Sequence, residues 1–156
     1  MNLTNLPHFL VAANRAGYAS ASTKVSDEAD GSHTILYEAD GWRFEDNFFG
    51  GEPYGGREVI SCNGRVEWMM LYYGWVGKTE ISNNDVYTFL RHALMRVPED
   101  APCRGPDSYM ENDLEYRNRV DGGLDNFSGE EVILDKGEEI YRAKYFGGLV
   151  DQRTGD

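Results

Sequence analysis

The chain has 156 residues, which suits one compact domain or two small halves that share a core. It carries 27 acidic against 15 basic residues, a formal net charge of −12. This excess disfavours direct binding to nucleic acid or to anionic membranes. We therefore expect a cytoplasmic protein whose partner is a small molecule or another protein, with no nucleic acid and no membrane.

Targeting and redox features point the same way. No window approaches the roughly eighteen apolar residues of a membrane span. The N-terminal segment lacks the basic start and apolar run of a signal peptide, so none is expected. The two cysteines, Cys62 and Cys103, are expected to be free structural thiols in a reducing cytoplasm.

The first predicted element is a helix in the segment LPHFLVAANRAG. Pro7 suits its first turn, and Gly17 suits its end. The residues of its apolar face are Leu6, Phe9, Leu10 and Ala13. This spacing is typical of a helix that buries one side.

After this helix the hydrophobic period falls to two, which indicates strands. We predict strands near residues 34–37, 42–48, 57–62 and 66–73. Asn63-Gly64 predicts a tight hairpin between the last two, because both positions favour positive φ. The glycine-rich segment GGEPYGG, residues 50–56, lacks the following Lys-Ser/Thr of a phosphate-binding loop and is interpreted as a turn between strands.

A second helix is predicted in the segment NDVYTFLRHALMRVP. The polar residues at 82–84 offer N-caps, and Pro98 is expected to end the helix. The residues of its apolar face are Val86, Phe89, Leu90, Ala93, Leu94 and Val97. The first and second helices share the pattern Phe-Leu-x-x-Ala.

More strands are predicted beyond the second helix. They lie near residues 114–120, 131–134 and 139–145. Asp135-Lys136-Gly137 predicts the hairpin between the last two. Residues 99–108 are expected to form an exposed loop, and residues 25–32 and 151–156 are expected to be the least ordered segments.

The chain contains an internal repeat. The segment REVISCNGRVEWMMLYYGW, residues 57–75, recurs as EEVILDKGEEIYRAKYFGG, residues 130–148. Because each copy follows a helix and no helix separates its strands, we predict an α+β fold of two tandem helix-plus-antiparallel-meander repeats with pseudo-twofold symmetry. The halves span approximately 4–77 and 82–150 within one domain, 1–156, and their sheets either fuse or pack face to face.

A groove between the halves is the predicted binding site. Trp68 and Tyr72 share one face of the last strand of the first half, and Tyr141 and Tyr145 share the equivalent face in the second half. These rings could line a ligand pocket. The alternative is that they are core residues.

Three acidic residues are candidates for the same site. Glu58 and Glu131 hold equivalent places in the two copies, and Asp46 corresponds to Asn118. One interpretation is structural, with each glutamate accepting hydrogen bonds from a facing strand or loop. The other is that the carboxylates converge, raise the pKa of at least one of them, and bind a metal or perform acid–base chemistry.

Two further residues complete the candidate set. Arg104, in the Arg-Gly-Pro motif of the second loop, could hold a ligand carboxylate or phosphate, or could be an exposed turn residue. Tyr116 is also included as a candidate ligand-binding residue. The histidines, at positions 8, 33 and 92, are scattered, so no metal site is predicted.

The sequence resembles the domain of unknown function 5680 family. The motifs that carry the resemblance are Phe44-x-Asp46-x-Phe48-x-Gly50, Tyr54-x-Gly56-x-Glu58-x-Ile60, Trp68-x-Met70-x-Tyr72-x-Gly74, Arg104-Gly105-Pro106, Tyr116-x-Asn118 and Phe127-x-Gly129-x-Glu131. The resemblance implies no particular activity. Members occur alone or behind helix-turn-helix domains of bacterial and archaeal regulators, where a domain usually senses a ligand or a partner. This chain begins at the first helix, so the regulator role is not expected to carry over.

Three functions remain open from the sequence. The leading hypothesis is a cytoplasmic small-molecule-binding domain in which the aromatic residues stack on the ligand and the acidic residues accept its hydrogen bonds. A second is a hydrolase that uses Glu58 and Glu131, with or without a divalent cation. A third is an acidic protein–protein adaptor that mimics nucleic acid. No cofactor is indicated.

Overall fold

The computed structural model describes residues 3–20 and 23–151, so most of the predicted tail at 151–156 lies outside the described residues. A 3₁₀ turn at Leu3–Asn5 leads into helix α1 (Leu6–Ala16), and helix α2 spans Asn83–Leu94. The strands are β1 (Ser26–Asp27), β2 (His33–Ala39), β3 (Trp42–Gly50), β4 (Tyr54–Cys62), β5 (Arg65–Val76), β6 (Ser108–Glu111), β7 (Leu114–Gly123), β8 (Asn126–Asp135) and β9 (Glu138–Leu149).

Within the described residues the strands form one antiparallel sheet of nine, in the order β1-β2-β3-β4-β5-β9-β8-β7-β6. Strands that follow one another in the chain are neighbours within β1–β5 and again within β6–β9. The two series join where β5 pairs with β9, and Tyr72 lies directly opposite Tyr145 at that junction. The α+β class is therefore confirmed, and the strands on either side of α2 are fused edge to edge.

Both helices pack on the same face of this sheet. In α1, Leu6, Leu10 and Ala13 are buried in one cluster with residues from β2 to β5. In α2, Val86 and Leu90 are buried in a second cluster with residues from β7 to β9. Among the described residues no helix covers the opposite face of the sheet, where Leu71, Tyr73 and Phe146 are exposed. The core and every buried candidate residue therefore lie between the sheet and the two helices.

The helix ends follow their local sequence. Ser82 caps α2, and its hydroxyl accepts a hydrogen bond from the Asp85 backbone N–H at 3.1 Å, as the N-cap pattern predicts. The helix ends at Leu94 rather than continuing to the residue before Pro98. The N–H of Arg96 bonds the Ala93 carbonyl, which tightens the chain into a turn.

All seven predicted strands are present, and each is longer than predicted. The two predicted hairpins are confirmed. Asn63 and Gly64 have φ of 49° and 81°, and Lys136 and Gly137 have φ of 49° and 89°. These positive angles are those that a two-residue turn between twisted strands requires.

Two short strands, β1 and β6, were not predicted. Residues 25–32, expected to be among the least ordered, instead place β1 against β2, where the Asp27 carboxylate lies 2.8 Å from His33 Nδ1. Strand β6 forms the opposite edge of the sheet, beside β7. With two and four residues, both strands are too short to show an alternating hydrophobic pattern, so periodicity could not reveal them.

Neither described helix is long and apolar enough to cross a membrane.

Candidate functional site

A cavity of about 540 Å³ lies between the sheet and the helices, over β2 to β5. This volume is within the range of small-molecule sites. The aromatic residues in its wall include Tyr18, Tyr54, Tyr72 and Tyr87. The charged residues in its wall are Asp46, Glu58, Arg91 and Arg104. Four of the predicted site residues, Asp46, Glu58, Tyr72 and Arg104, are thus brought together around one space.

Asp46 projects into the cavity from β3 and is held by Tyr72. The Tyr72 hydroxyl donates a hydrogen bond to Asp46 Oδ1 at 2.5 Å. To reach Asp46, the Tyr72 side chain crosses β4 over Gly56, where a Cβ would lie 2.6 Å from the hydroxyl. Burial raises the pKa of Asp46 to about 6, although the Tyr72 hydrogen bond and the charge of Arg104 lower it.

Glu58 is the least satisfied polar group in the cavity wall. It lies directly opposite Asp46 on β4, its side chain is only 3% exposed, and Oε2 has no hydrogen-bond partner among the described residues. Burial, followed by the charge of Asp46, raises the pKa of Glu58 well above its usual value, against the opposing charge of Arg104. Burial therefore favours the neutral form of Glu58.

Glu131, by contrast, is fully engaged. Arg104 donates to it through two nitrogens, with Nε 3.2 Å from Oε2 and a terminal nitrogen 2.5 Å from Oε1. Tyr116 and Tyr141 donate their hydroxyls to the same carboxylate at 2.6 and 3.0 Å. Each carboxylate oxygen therefore accepts two hydrogen bonds, which is what a buried charge needs in order to be stable.

The loop that carries Arg104 is not exposed as predicted. Residues 102–105 are buried, and Arg104 itself is 8% exposed. The backbone N–H of Gly105 donates to the Tyr116 hydroxyl at 3.1 Å, and its carbonyl accepts from the Asn118 side chain at 3.0 Å. The loop is drawn inward because Arg104 reaches its buried carboxylate, a pairing that turn-residue composition cannot reveal.

The remaining aromatic candidates lie in the core. Trp68 is fully buried, stacks on Phe127 at 5.6 Å between ring centroids, and donates its indole N–H to the Leu124 carbonyl at 3.1 Å. Tyr145 donates its hydroxyl to Asn118 at 2.6 Å. With Tyr116 and Tyr141 on Glu131, these side chains are anchored by their polar atoms rather than facing the cavity.

Several residues of the cavity wall were not among the predicted site residues, and these include Tyr18, Tyr54, Tyr87 and Arg91. Tyr54 falls in the glycine-rich segment that was interpreted as a turn, but it begins β4 and its hydroxyl lies 2.5 Å from that of Tyr141. Tyr87 and Arg91 are four residues apart on α2, a spacing that places them on one helix face and could have identified them. Tyr18 follows α1, and the Arg91 guanidinium lies 5.2 Å from its ring centroid.

The structure does not gather a metal-ligand set within the part of the chain that it describes, where no three His, Cys, Asp or Glu side chains are placed to share an ion. His8, His33 and His92 lie apart, each beside a different acidic residue.

The fold and the cavity define an α+β protein with a tyrosine-lined and acid-lined pocket between an antiparallel sheet and two helices. Residues 46–150 match the family described as domain of unknown function (DUF5680), and the chain belongs to that family. This confirms the family that the sequence motifs indicate. No curated protein and no solved structure matches the chain.

Proposed function

We propose that the protein binds a small organic molecule in the cavity over β2 to β5 and acts as a cytoplasmic ligand-sensing domain. The observation that carries this proposal is the unpartnered Glu58 carboxyl in the wall of a cavity of about 540 Å³. Tyr72 and Asp46 line the same cavity and are hydrogen-bonded to each other. An aromatic ring and a fixed polar group are typical of sites that orient a small ligand.

The cavity and the unpartnered carboxyl oxygen both reduce the stability of the free protein. Protein interiors contain few voids larger than a water molecule. A buried polar atom without a partner costs about 1–3 kcal/mol. A fold that retains both features at the same place gains stability when a ligand fills the space and bonds Glu58.

The proposal includes the two-repeat organisation, which is supported by matching contacts on the two sides of the sheet. Tyr72 crosses Gly56 to reach Asp46, and Tyr145 crosses Gly129 to reach Asn118. Phe127 contacts Trp68, and Tyr54 contacts Tyr141, the equivalent aromatic pair in the sequence repeat. A pseudo-twofold axis near the junction of β5 and β9 accounts for these pairs.

We infer that the two repeat copies have diverged around the glutamate that each retains, Glu58 in the first copy and Glu131 in the second. In the second copy Arg104 occupies the carboxylate of Glu131. In the first copy Glu58 lines the cavity, and its buried Oε2 has no partner among the described residues. The predicted groove between the halves thus becomes a cavity on the first half of the sheet, with α2 and Arg104 closing one side.

A thermal-shift screen with a cavity-blocking variant tests the proposal. Gly51 is in the cavity wall, and a Cβ there meets no atom within 4 Å, so Gly51→Trp should add an indole at the cavity wall with no clash at its Cβ. The panel contains nucleotides, sugars, amino acids, amines and divalent metals. Ligand at a hundred times its Kd should stabilise the wild type by about 2.7 kcal/mol and Gly51→Trp far less.

The matched control is Lys144→Trp, which adds the same side chain on the uncovered face of the sheet. A compound that stabilises the wild type and Lys144→Trp but not Gly51→Trp supports cavity binding. Equal stabilisation of all three proteins, or none across the panel, contradicts it. If no compound in the panel stabilises the wild type, the protein–protein adaptor hypothesis is the next one to test.

A hydrolase is a second candidate, because Asp46 and Glu58 lie opposite each other with raised pKa values. Such pairs serve as general acid and base. The catalytic pair of this hydrolase would be Glu58 and Asp46 rather than Glu58 and Glu131, because Arg104 already forms an ion pair with Glu131. Turnover of a panel compound that Glu58→Gln abolishes, with its melting temperature preserved, would support the enzyme.

A further inference from the structure

We propose that the ligand of this cavity is an organic cation, with a primary ammonium, amidinium or guanidinium group that donates to Glu58. This inference rests on the proposed function, because it names the chemical class of the molecule that the cavity receives. It follows from the unpartnered oxygen, from an internal precedent, from the charge count around the site and from the tyrosine rings.

The unpartnered oxygen indicates that the ligand group beside it is a hydrogen-bond donor. Glu58 Oε2 is an acceptor when the carboxyl is ionised, and it is enclosed by protein with no donor among the described residues. Its neighbour Asp46 already accepts from Tyr72. A ligand that meets these two carboxyls must therefore bring donors, which disfavours carboxylate and phosphate ligands at this end of the cavity.

The pair of Arg104 and Glu131 provides the internal precedent. Glu131 occupies the position that corresponds to Glu58 in the sequence repeat, and it is stabilised by a guanidinium that donates through two nitrogens. At Glu58 the protein supplies no such group. A ligand cation would donate charge-assisted hydrogen bonds to Glu58, as Arg104 does to Glu131. Such bonds are stronger than those between neutral groups.

The charge count agrees. Among the charged residues of the cavity wall, Arg104 is already paired with Glu131, which leaves the carboxyls of Asp46 and Glu58 and the guanidinium of Arg91. Full ionisation leaves one negative charge without a partner. A monovalent cation balances it, whereas an anion would add to the excess.

The tyrosine rings complete the site. Cations are attracted to aromatic faces within about 6 Å of the ring centroid. The protein already uses this contact twice at the cavity, with Arg91 5.2 Å from Tyr18 and Arg104 5.8 Å from Tyr72. Tyr54 and Tyr87 line the same space.

Binding of a cation is also expected to release a proton. The titratable and charged groups that face Glu58 from the neighbouring elements are Asp46, Tyr72, Cys103, Arg104 and Glu131. Burial and the charge of Asp46 raise the pKa of Glu58, and a cation bound at the carboxylate lowers it again, which displaces protons held by the free carboxyl. A neutral ligand gives no such release.

Isothermal titration calorimetry with shape-matched probes tests this inference. The probes are tyramine, its neutral alcohol analogue 4-(2-hydroxyethyl)phenol, its anionic analogue 4-hydroxyphenylacetate, and the pair benzamidine and benzamide. Each is titrated into the wild type in two buffers of different ionisation enthalpy. We expect the cations to bind about tenfold or more tightly than their neutral analogues, with proton release.

The variants are Glu58→Gln and the matched control Glu67→Gln. Glu67 is also buried, at 5% exposed, and its Oε2 also lacks a partner among the described residues, but it is outside the cavity wall. Glu58→Gln should lose about tenfold or more in affinity for the cations, and Glu67→Gln should retain the wild-type affinity.

The outcomes separate this inference from the proposed function. If a neutral or anionic analogue binds as tightly as its cation, or if Glu58→Gln leaves cation affinity unchanged, the cation assignment is wrong and cavity binding stands. The cation assignment is also wrong, and cavity binding stands, if none of these probes binds while other compounds bind the wild type and not Gly51→Trp. If no compound binds in either experiment, both proposals fail.

Discussion

Glu58 and Glu131 hold corresponding positions on β4 and β8, and among the described residues Arg104 forms an ion pair with Glu131 but not with Glu58. The two glutamates are both buried. Glu131 is paired with a cation within the fold, whereas burial at the cavity favours the neutral form of Glu58. The same substitution at the two positions should therefore have different consequences.

Glu131→Gln should be strongly destabilising. It removes the charge that balances the buried guanidinium of Arg104, and breaking a buried pair from one side costs about 3–5 kcal/mol. Urea denaturation at neutral pH measures this loss. The control is Glu130→Gln at the half-exposed neighbouring pair with Arg142, which should change stability by about 0–1 kcal/mol. Equal effects of the two variants would contradict the satisfied-charge account.

Glu58→Gln should flatten the pH dependence of stability. Because the folded pKa of Glu58 lies above its usual value of 4.5, the folded state keeps a proton that the unfolded state releases. The free energy of unfolding of the wild type therefore falls as pH rises from about 4.5 towards the folded pKa. Asp46, with its pKa raised to about 6, adds to the same fall.

The measurement for this prediction is urea denaturation of wild type and Glu58→Gln at about pH 5 and about pH 8. The variant should be no less stable than the wild type at the higher pH and should show the smaller difference between the two. A variant with the same difference as the wild type would mean that Glu58 is ionised in the folded protein.

Tyr72→Phe should raise the pKa of Asp46 above about 6, because the hydroxyl that stabilises the carboxylate is lost. A carbon-13 NMR titration of the aspartate carboxyl groups measures this shift. The matched control is Tyr145→Phe, whose hydroxyl bonds the uncharged Asn118 in the other half of the sheet. An unchanged titration of Asp46 in Tyr72→Phe would show that the hydroxyl does not hold the carboxylate.

Gly129→Ala should destabilise the protein through Tyr145. A Cβ on Gly129 would lie 2.3 Å from Tyr145 Cζ, so the ring must move from its place over β8. Overpacking of this kind costs about 1–3 kcal/mol. The loss should shrink in the background of Tyr145→Ala, and thermal denaturation of the double-mutant cycle measures this coupling. Additive effects of the two changes would contradict the crossing, and Gly51→Ala, whose Cβ meets no atom within 4 Å, is the control.

Much of the fold could be predicted from the sequence, because it depends on local patterns. The buried stripes of α1 and α2 follow a helical period, and both predicted hairpins have turn residues with positive φ. The inward face of β5 and β9, with Trp68, Tyr72 and Tyr145, also follows from alternation. The end of α2 at Leu94 and the two-residue β1 carry no comparable pattern.

The site could be predicted only in part. Asp46, Glu58, Tyr72 and Arg104 were identified as chemically unusual, and the structure places them around one cavity. The sequence did not indicate which glutamate Arg104 would reach, because that depends on how a loop of turn residues folds inward. Nor could composition distinguish the rings in the core from those in the cavity wall.

The most direct test of the account is the melting temperature of wild type and Gly51→Trp across the compound panel. The account predicts that at least one compound, with amines foremost, raises the wild-type melting temperature by roughly 5–10 °C at saturating concentration. The same compound should leave Gly51→Trp nearly unchanged and Lys144→Trp fully responsive. A panel without any stabilising compound, or one that stabilises Gly51→Trp equally, would contradict ligand binding in this cavity.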